Sequence, residues 1–109
     1  MTKVSCNAQT CGYNCKRDCM KESIDVEGLF AKSKIGTFCQ SFKNPHNSET
    51  LKQEIAKEMT PEHESIRVNC SANYCKYNED NCCVAQNITV GNENALYRSE
   101  TQCESFRLK

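Results

Sequence analysis

The stretch at residues 68–106, VNCSANYCKYNEDNCCVAQNITVGNENALYRSETQCESF, decides the fold because the chain carries its pattern twice. The first occurrence lies 64 residues earlier, at residues 4–42, and reads VSCNAQTCGYNCKRDCMKESIDVEGLFAKSKIGTFCQSF. The two stretches align without a gap over 39 positions, of which 14 are identical. A repeat with a fixed period indicates that each occurrence is one structural unit. The sequence therefore predicts two tandem units with one shared backbone, here called copy 1 and copy 2, and with their cysteines in register.

Each copy has four recurring cysteines, with the spacing Cys-x4-Cys-x7-Cys-x19-Cys. They are Cys6, Cys11, Cys19 and Cys39 in copy 1, and Cys70, Cys75, Cys83 and Cys103 in copy 2. Four thiolates can bind one tetrahedral zinc ion and stabilise a fold directly. The same four sulfurs can instead form two disulfides, in any of three pairings. Spacing alone leaves both possibilities open.

Two other cysteines, Cys15 and Cys82, lie in the turn-rich loop between the second and third recurring cysteines. Neither has a counterpart in the other copy, so neither can belong to a cluster that both copies share. An odd cysteine left over from a framework is typical of intermolecular pairing. We therefore predict that Cys15 and Cys82 are cross-link residues bonded to each other, within one chain or from chain to chain.

The order of the shared residues resembles a short domain of unknown function that is common in clostridia and related spore-forming anaerobes. The resemblance rests on Cys-x4-Cys-x-Tyr-Asn, a third Cys, Ile-x-Val and a closing Thr-x-Cys-x-Ser-Phe, and it covers both copies. It implies four recurring cysteines that are suspected of binding a metal, and it implies no established activity.

The composition agrees with a cysteine scaffold. Ten of the 109 residues are Cys, whereas the chain has no Trp, four Phe and four Tyr. Units of about 40 residues rarely hold together by a hydrophobic core alone. The fold of each copy should therefore depend on its sulfur cluster, and replacing Cys39 or Cys103 with Ser should unfold that copy and leave the other largely intact.

Charge and hydropathy exclude several partners. Fourteen Lys and Arg balance fourteen Asp and Glu without a basic run, so neither nucleic acid nor a membrane surface is expected as a partner. The amino-terminal residues contain no apolar segment, which predicts synthesis in the cytoplasm without a Sec signal. Cytoplasmic cysteines normally stay reduced, which disfavours disulfides, while the absence of Cys-x2-Cys knuckles disfavours structural zinc.

Local patterns predict a small, cysteine-rich and β-rich fold with much irregular loop. Alternating apolar and polar residues indicate short strands at residues 24–26 and 88–90, and closing strands at residues 37–42 and 101–106. Asn, Asp and Gly indicate turns between them. Each copy is thus expected to contain a short antiparallel sheet.

The domain boundaries predicted from the repeat are 1–42 for the first unit, 43–67 for a linker and 68–109 for the second unit. Residues 50–59 of the linker have a helical pattern, with a possible capping box at Thr50 and Gln53. Leu51, Ile55 and Met59 share one face of that helix. Because so short a helix is marginal alone in water, it should dock on a repeat or on a second chain.

No pattern indicates catalysis. The two histidines, His46 and His63, lie in the polar linker, and a nucleophilic cysteine needs a base held nearby. The chain has no Cys-x2-Cys redox pair and no glycine-rich phosphate loop. The sequence therefore predicts no enzyme, no small-molecule substrate and no cofactor apart from the zinc of the alternative interpretation.

The leading functional prediction is a non-enzymatic, cysteine-stapled structural protein that assembles with itself. The resemblance to a family of spore formers suggests deposition on the spore surface or coat, where disulfides could form after synthesis. The alternative is an intracellular zinc-binding module with one four-cysteine site per repeat. A thiol buffer or redox protein is a third possibility.

Overall fold

The two copies form the same secondary-structure elements in the same order, offset by 64 residues. The computed structural model describes residues 2–45, 48–58 and 65–109. Copy 1 contains β1 (Lys3–Cys6), β2 (Asn14–Cys15), β3 (Asp18–Cys19), β4 (Ser23–Glu27), a 3-10 turn (Lys34–Gly36) and β5 (Phe38–Cys39). Copy 2 contains β6 (Arg67–Cys70), β7 (Asn78–Glu79), β8 (Cys82–Cys83), β9 (Asn87–Gly91), a 3-10 turn (Arg98–Glu100) and β10 (Gln102–Cys103). The predictions of a small β-rich fold and of one backbone for both copies are confirmed.

A two-residue turn closes a hairpin in each copy, between β2 and β3 and between β7 and β8. The turn residues are Lys16 and Arg17 in copy 1, with φ of 51° and 70°, and Asp80 and Asn81 in copy 2, with φ of 52° and 63°. Positive φ at both positions matches the right-handed twist of the flanking strands. Asp and Asn tolerate this conformation better than Lys and Arg, so the turn of copy 1 is the more strained of the two.

The strands assemble into two five-stranded sheets that each draw on both copies. The strand order is β10-β9-β1-β3-β2 in sheet 1 and β5-β4-β6-β8-β7 in sheet 2. Pairs within a copy are antiparallel, as the sequence predicts. The copies are joined by parallel pairs, β1 with β9 and β4 with β6, each over four residues. Neither copy therefore completes a sheet alone.

One hydrophobic core runs through both copies. It includes the apolar residues of the central strands, Val4, Ile24, Val26, Val68, Ile88 and Val90, together with most of the recurring cysteines. The closing strands are shorter than predicted, because only Phe38–Cys39 and Gln102–Cys103 are strands. The chain turns immediately afterwards, where the amide of Phe42 donates to the carbonyl oxygen of Cys39 and that of Phe106 donates to Cys103.

The linker forms the helix α1 (Glu49–Glu58), close to the predicted range. Its amino-terminal cap is Ser48 and not the predicted Thr50, because the amide of Leu51 donates to the Ser48 hydroxyl over 3.2 Å. Ile55 is buried at 4% exposure and Leu51 packs against the core, so the predicted docking on the repeats is confirmed. Met59 lies outside the described residues. Within the part of the chain that the structure describes, no helix is long and apolar enough to cross a membrane.

Candidate functional site

The recurring cysteines come together in two clusters, one per copy. Cluster 1 consists of Cys6, Cys11, Cys19 and Cys39, and cluster 2 consists of Cys70, Cys75, Cys83 and Cys103. The four thiols of each cluster line one small cavity, of about 20 Å³ in cluster 1 and about 10 Å³ in cluster 2. All eight predicted site residues are therefore placed as the repeat requires.

Each cluster joins the two sheets. In copy 1, Cys6 on β1 and Cys19 on β3 belong to sheet 1, whereas Cys39 on β5 belongs to sheet 2. In copy 2 the arrangement is reversed, because Cys70 and Cys83 lie in sheet 2 and Cys103 lies in sheet 1. Strand pairing thus connects the two copies, while the sulfur clusters connect the two sheets.

Burial disfavours the ionised form of these thiols. Loss of solvation raises the pKa of Cys19 to about 11, that of Cys39 to about 12 and that of Cys103 to about 11. It also raises the pKa of Cys6, Cys70 and Cys83. The neighbouring sulfurs of the same cluster raise each of these pKa values further, because like charges this close oppose one another. Without a cation, these six thiols therefore stay protonated at neutral pH.

Backbone hydrogen bonds nevertheless favour the ionised form of six of the eight sulfurs. In each case a hydrogen bond with the backbone of the residue two positions later lowers the thiol pKa. In copy 1 these residues are Ala8, Lys21 and Ser41, and the protonated Cys6 thiol also donates to the carbonyl oxygen of Ala8 over 3.9 Å. In copy 2 they are the equivalent Ala72, Ala85 and Ser105. The backbone thus offsets part of the cost of ionising these sulfurs without any Cys-x2-Cys knuckle.

The shared Tyr-Asn pair shapes the loop around the first two cysteines. Asn14 Nδ2 donates to the carbonyl oxygen of Cys6 over 2.7 Å, and Asn78 Nδ2 donates to that of Cys70 over 2.8 Å. Each Asn side chain also lowers the pKa of the same cysteine. The preceding tyrosines, Tyr13 and Tyr77, line the two cavities.

The closing Thr-x-Cys segment links each cluster to the opposite copy. The amide of Cys103 donates to the hydroxyl oxygen of Thr37 over 2.8 Å, and the amide of Cys39 donates to that of Thr101 over 2.8 Å. Both threonines are buried at 2% exposure. The next shared residue is Ser, whose hydroxyl accepts the amide of Asp25 in copy 1 and of Thr89 in copy 2. These hydrogen bonds thus hold the closing cysteine of each cluster, Cys39 or Cys103, in position.

Comparison with known families identifies these units. Residues 4–42 and residues 68–106 each match the family described as Domain of Unknown Function (DUF1540). The chain belongs to the DUF1540 family. The predicted cysteine-motif domain of unknown function, present in two tandem copies, is therefore confirmed. No curated protein and no solved structure matches the chain.

The two cysteines outside the DUF1540 pattern lie apart from each other. Cys15 is exposed on β2 in sheet 1, and Cys82 is half-buried on β8 in sheet 2. All ten cysteines, which all fall within the described residues, are free thiols. The internal form of the predicted Cys15–Cys82 bond is therefore not formed here, and the chain-to-chain form stays a prediction.

The four sulfurs of each cluster do not converge closely enough to coordinate one metal ion as they stand. Among residues 2–45, 48–58 and 65–109, no group of three or more His, Cys, Asp or Glu side chains is placed to hold a metal ion as it stands. His46 and His63, which the sequence assigned to the solvated linker, lie outside the described residues.

Two kinds of DUF1540 residue support the clusters without being predicted as site residues. They are the asparagines, Asn14 and Asn78, and the threonines, Thr37 and Thr101. Their recurrence at equivalent positions was visible in the sequence. Their roles were not, because the threonine bonds join the two copies and so depend on the strand pairing, and the asparagine bonds depend on the path of the loop within each copy.

Proposed function

We propose that the chain is a non-enzymatic structural metal protein in which each DUF1540 copy binds one Zn²⁺ on its four cysteines. The observation that carries this proposal is the pair of small cavities, each lined by four cysteines of one copy, three of which have a backbone hydrogen bond that lowers the thiol pKa. A hydrogen bond that lowers a thiol pKa favours the thiolate, and a disulfide has no thiolate to stabilise. Four thiolates are a donor set that suits zinc.

The cavities agree with a small occupant. A volume of about 10–15 Å³ accommodates one water-sized sphere, and the cavities of cluster 1 and cluster 2 measure about 20 and 10 Å³. A Zn–S bond is about 2.3 Å long, so zinc binding would draw the four sulfurs of a cluster inward. The elevated thiol pKa values imply that binding releases protons and weakens as the pH falls.

Metal content is the direct test of this function. Native mass spectrometry of the reduced full chain should show two Zn²⁺ ions, and a chelator should remove them and lower the melting temperature. A Cys15→Ser/Cys82→Ser double variant is the matched control and should keep both ions, because those residues lie outside the clusters. A chain that carries no zinc and gains none when Zn²⁺ is supplied would contradict the proposal.

We propose as a second candidate that the chain is a self-assembling structural protein cross-linked by disulfides, deposited on the spore surface. The observation that favours it is the position of Cys15, which is exposed beside the β2–β3 turn and available to another chain. A bond from Cys15 of one chain to Cys82 of the next is a head-to-tail contact, which produces open filaments or lattices unless it closes into a ring.

Non-reducing electrophoresis of the oxidised protein tests this second candidate. The wild-type chain should form a ladder of oligomers that collapses in Cys15→Ser and persists in Cys11→Ser. Mass spectrometry of the same sample counts the hydrogens lost to disulfides within a chain. A monomer whose ten thiols all stay reactive after oxidation would contradict the proposal.

A further inference from the structure

Two buried threonines connect each sulfur cluster to the other copy. Thr37 belongs to copy 1, yet its hydroxyl oxygen accepts the amide of Cys103, a member of cluster 2. Thr101 belongs to copy 2, yet its hydroxyl oxygen accepts the amide of Cys39, a member of cluster 1. The two bonds are equal in length, at 2.8 Å, and are related by the symmetry of the repeat.

Each hydroxyl is also fixed on its donor side. Thr37 donates to the carbonyl oxygen of Lys34 over 2.6 Å, and Thr101 donates to that of Arg98 over 2.7 Å. A hydroxyl has one proton to donate, so its orientation is determined once that proton is used. Its lone pair then points at the cysteine of the opposite copy. A 3-10 turn in one copy thereby positions a cluster cysteine in the other.

The strand register adds a second connection between the clusters. In sheet 1, Val90 pairs with Cys6 of cluster 1 on one side and with Cys103 of cluster 2 on the other. In sheet 2, Val26 pairs with Cys39 of cluster 1 and with Cys70 of cluster 2. Cysteines of different clusters thus stand two strands apart in the same row, a separation of about 10 Å.

The cavities show the same dependence on the opposite copy. Val90 of copy 2 lines the cavity of cluster 1. Val26 and Thr37 of copy 1 line the cavity of cluster 2. Neither four-cysteine site is complete without residues from the other copy.

We infer that Thr37 and Thr101 are positioning residues that act across the copies, each holding the closing cysteine of the opposite cluster, so that the two clusters bind metal as a coupled pair. The inference rests on the proposed metal function. When an ion draws one closing cysteine inward, the threonine bonded to its amide moves with it. This threonine follows the last residue of its 3-10 turn and lies two residues before the closing cysteine of the other cluster, so that cysteine moves too.

The test measures the occupancy of each cluster separately. The full chain is titrated with Zn²⁺ against a competing chelator and treated with a thiol alkylating reagent, and protection of each cysteine is read by peptide mapping. Cysteines that bind metal are protected, so the Zn²⁺ concentration at half-protection reports the affinity of each cluster.

Thr37→Val should shift half-protection of Cys103 about tenfold to higher Zn²⁺, because the half-buried Cys103 amide loses its acceptor. The shift at Cys39 should be smaller. Thr101→Val should give the reverse, and Thr37→Ser, which keeps the hydroxyl, should restore the wild-type value. The inference would be overturned if Thr37→Val shifted half-protection of Cys39 more than that of Cys103. It would also be overturned if both variants shifted half-protection of both clusters equally.

Cys11→Ser provides a variant that leaves both threonines and every strand intact, in case Thr37→Val fails to fold. Loss of metal at cluster 1 should shift half-protection of cluster 2 to higher Zn²⁺, because coupling between two sites is reciprocal. An unchanged cluster 2 would overturn the coupling while leaving the proposed metal function standing. A wild-type chain with no protected cysteine would instead show that the proposed function itself is wrong.

Discussion

Each copy has its own sulfur cluster of the same kind, but the two clusters differ in what surrounds them. The linker helix packs on copy 1, where Ile55 contacts Gly12; the equivalent position in copy 2 is Lys76. Copy 2 has a contact of its own, because Thr2 donates to the carbonyl oxygen of Ala85 over 2.7 Å beside cluster 2. The residues that the copies share therefore build the cluster, and the residues that differ determine what packs against it.

The largest expected effect concerns whether the copies unfold separately. Replacing Cys39 or Cys103 with Ser should destabilise the metal-loaded protein by at least about 3 kcal/mol. Because both sheets contain strands of both copies, each variant should unfold in one transition that includes the whole chain. This expectation differs from the one based on the sequence alone, in which the other copy stays folded, because the sheets are shared between the copies.

Circular dichroism and tyrosine fluorescence, recorded together during thermal unfolding, check this prediction. Cys15→Ser is the control and should change the free energy of unfolding by less than about 0.5 kcal/mol. Two separate transitions in Cys39→Ser would show that the copies are independent.

A smaller effect is expected from exchanging the residues that distinguish the helix contact. A Cβ atom on Gly12 would overlap Ile55 Cδ1, so Gly12→Lys should displace the helix. Burial of an Ile side chain contributes about 1.5–3 kcal/mol, and the variant should lose about 2 kcal/mol of it. Lys76→Gly is the matched control, with an expected change below about 1 kcal/mol. The free energy of unfolding is measured in urea, and the helix content by ellipticity. If Gly12→Lys and Lys76→Gly reduced both quantities equally, the helix would not distinguish the copies.

The pH dependence of the metal-free protein compares the closing cysteines directly. Burial raises the pKa of Cys39 to about 12 and that of Cys103 to about 11. An unfolded thiol has a pKa of about 8.5, so the folded chain binds these protons more tightly. Their contribution to stability is fully present below about pH 8.5 and is lost as the pH rises through the folded pKa values.

The metal-free chain should therefore lose stability above about pH 8.5. Below both pKa values, Cys39 should alkylate about tenfold more slowly than Cys103, a difference of about 1.4 kcal/mol. Alkylation rates measured against pH, with peptide mapping, provide the check. Stability that rises with alkaline pH would contradict the burial of these thiols.

The smallest effect should come from Thr2, whose counterpart in copy 2 is Ile66. Thr2→Val removes the hydroxyl that donates to Ala85 and should cost about 1 kcal/mol. Thr2→Ser keeps that hydroxyl and should lose less. Hydrogen exchange should show the loss concentrated around Ala85. A loss spread equally over both clusters would mean that Thr2 does not favour copy 2.

The sequence was sufficient to predict the clusters because the repeat aligns their cysteines. It also indicated the strands at residues 24–26 and 88–90, whose apolar residues alternate. It did not predict the pairing between copies. Strands β4 and β9 have the same Ile-x-Val pattern, so nothing in periodicity distinguishes a partner in the same copy from one in the other.

The sequence pattern also could not predict the residue that caps the helix or the length of the closing strands. Ser48 and Thr50 both carry a hydroxyl that can cap a helix, and only the chain path selects Ser48. The alternation at residues 37–42 is that of a strand. The amide of Gln40 still donates to Asp25 of β4, but the chain then turns because the Phe42 amide donates back to the carbonyl oxygen of Cys39.

The parallel pairs β1–β9 and β4–β6 also bear on ancestry. A chain with one DUF1540 unit would leave the strands equivalent to β1 and β4 without their parallel partners. Two such chains could supply these parallel partners to each other, through the same strand pairs that the tandem chain forms within itself. The tandem protein therefore has the form of a homodimer whose subunits were fused by gene duplication. Fusion removes the need for the halves to be identical, and the helix contact at Gly12 is a difference that a symmetric homodimer of one unit could not have.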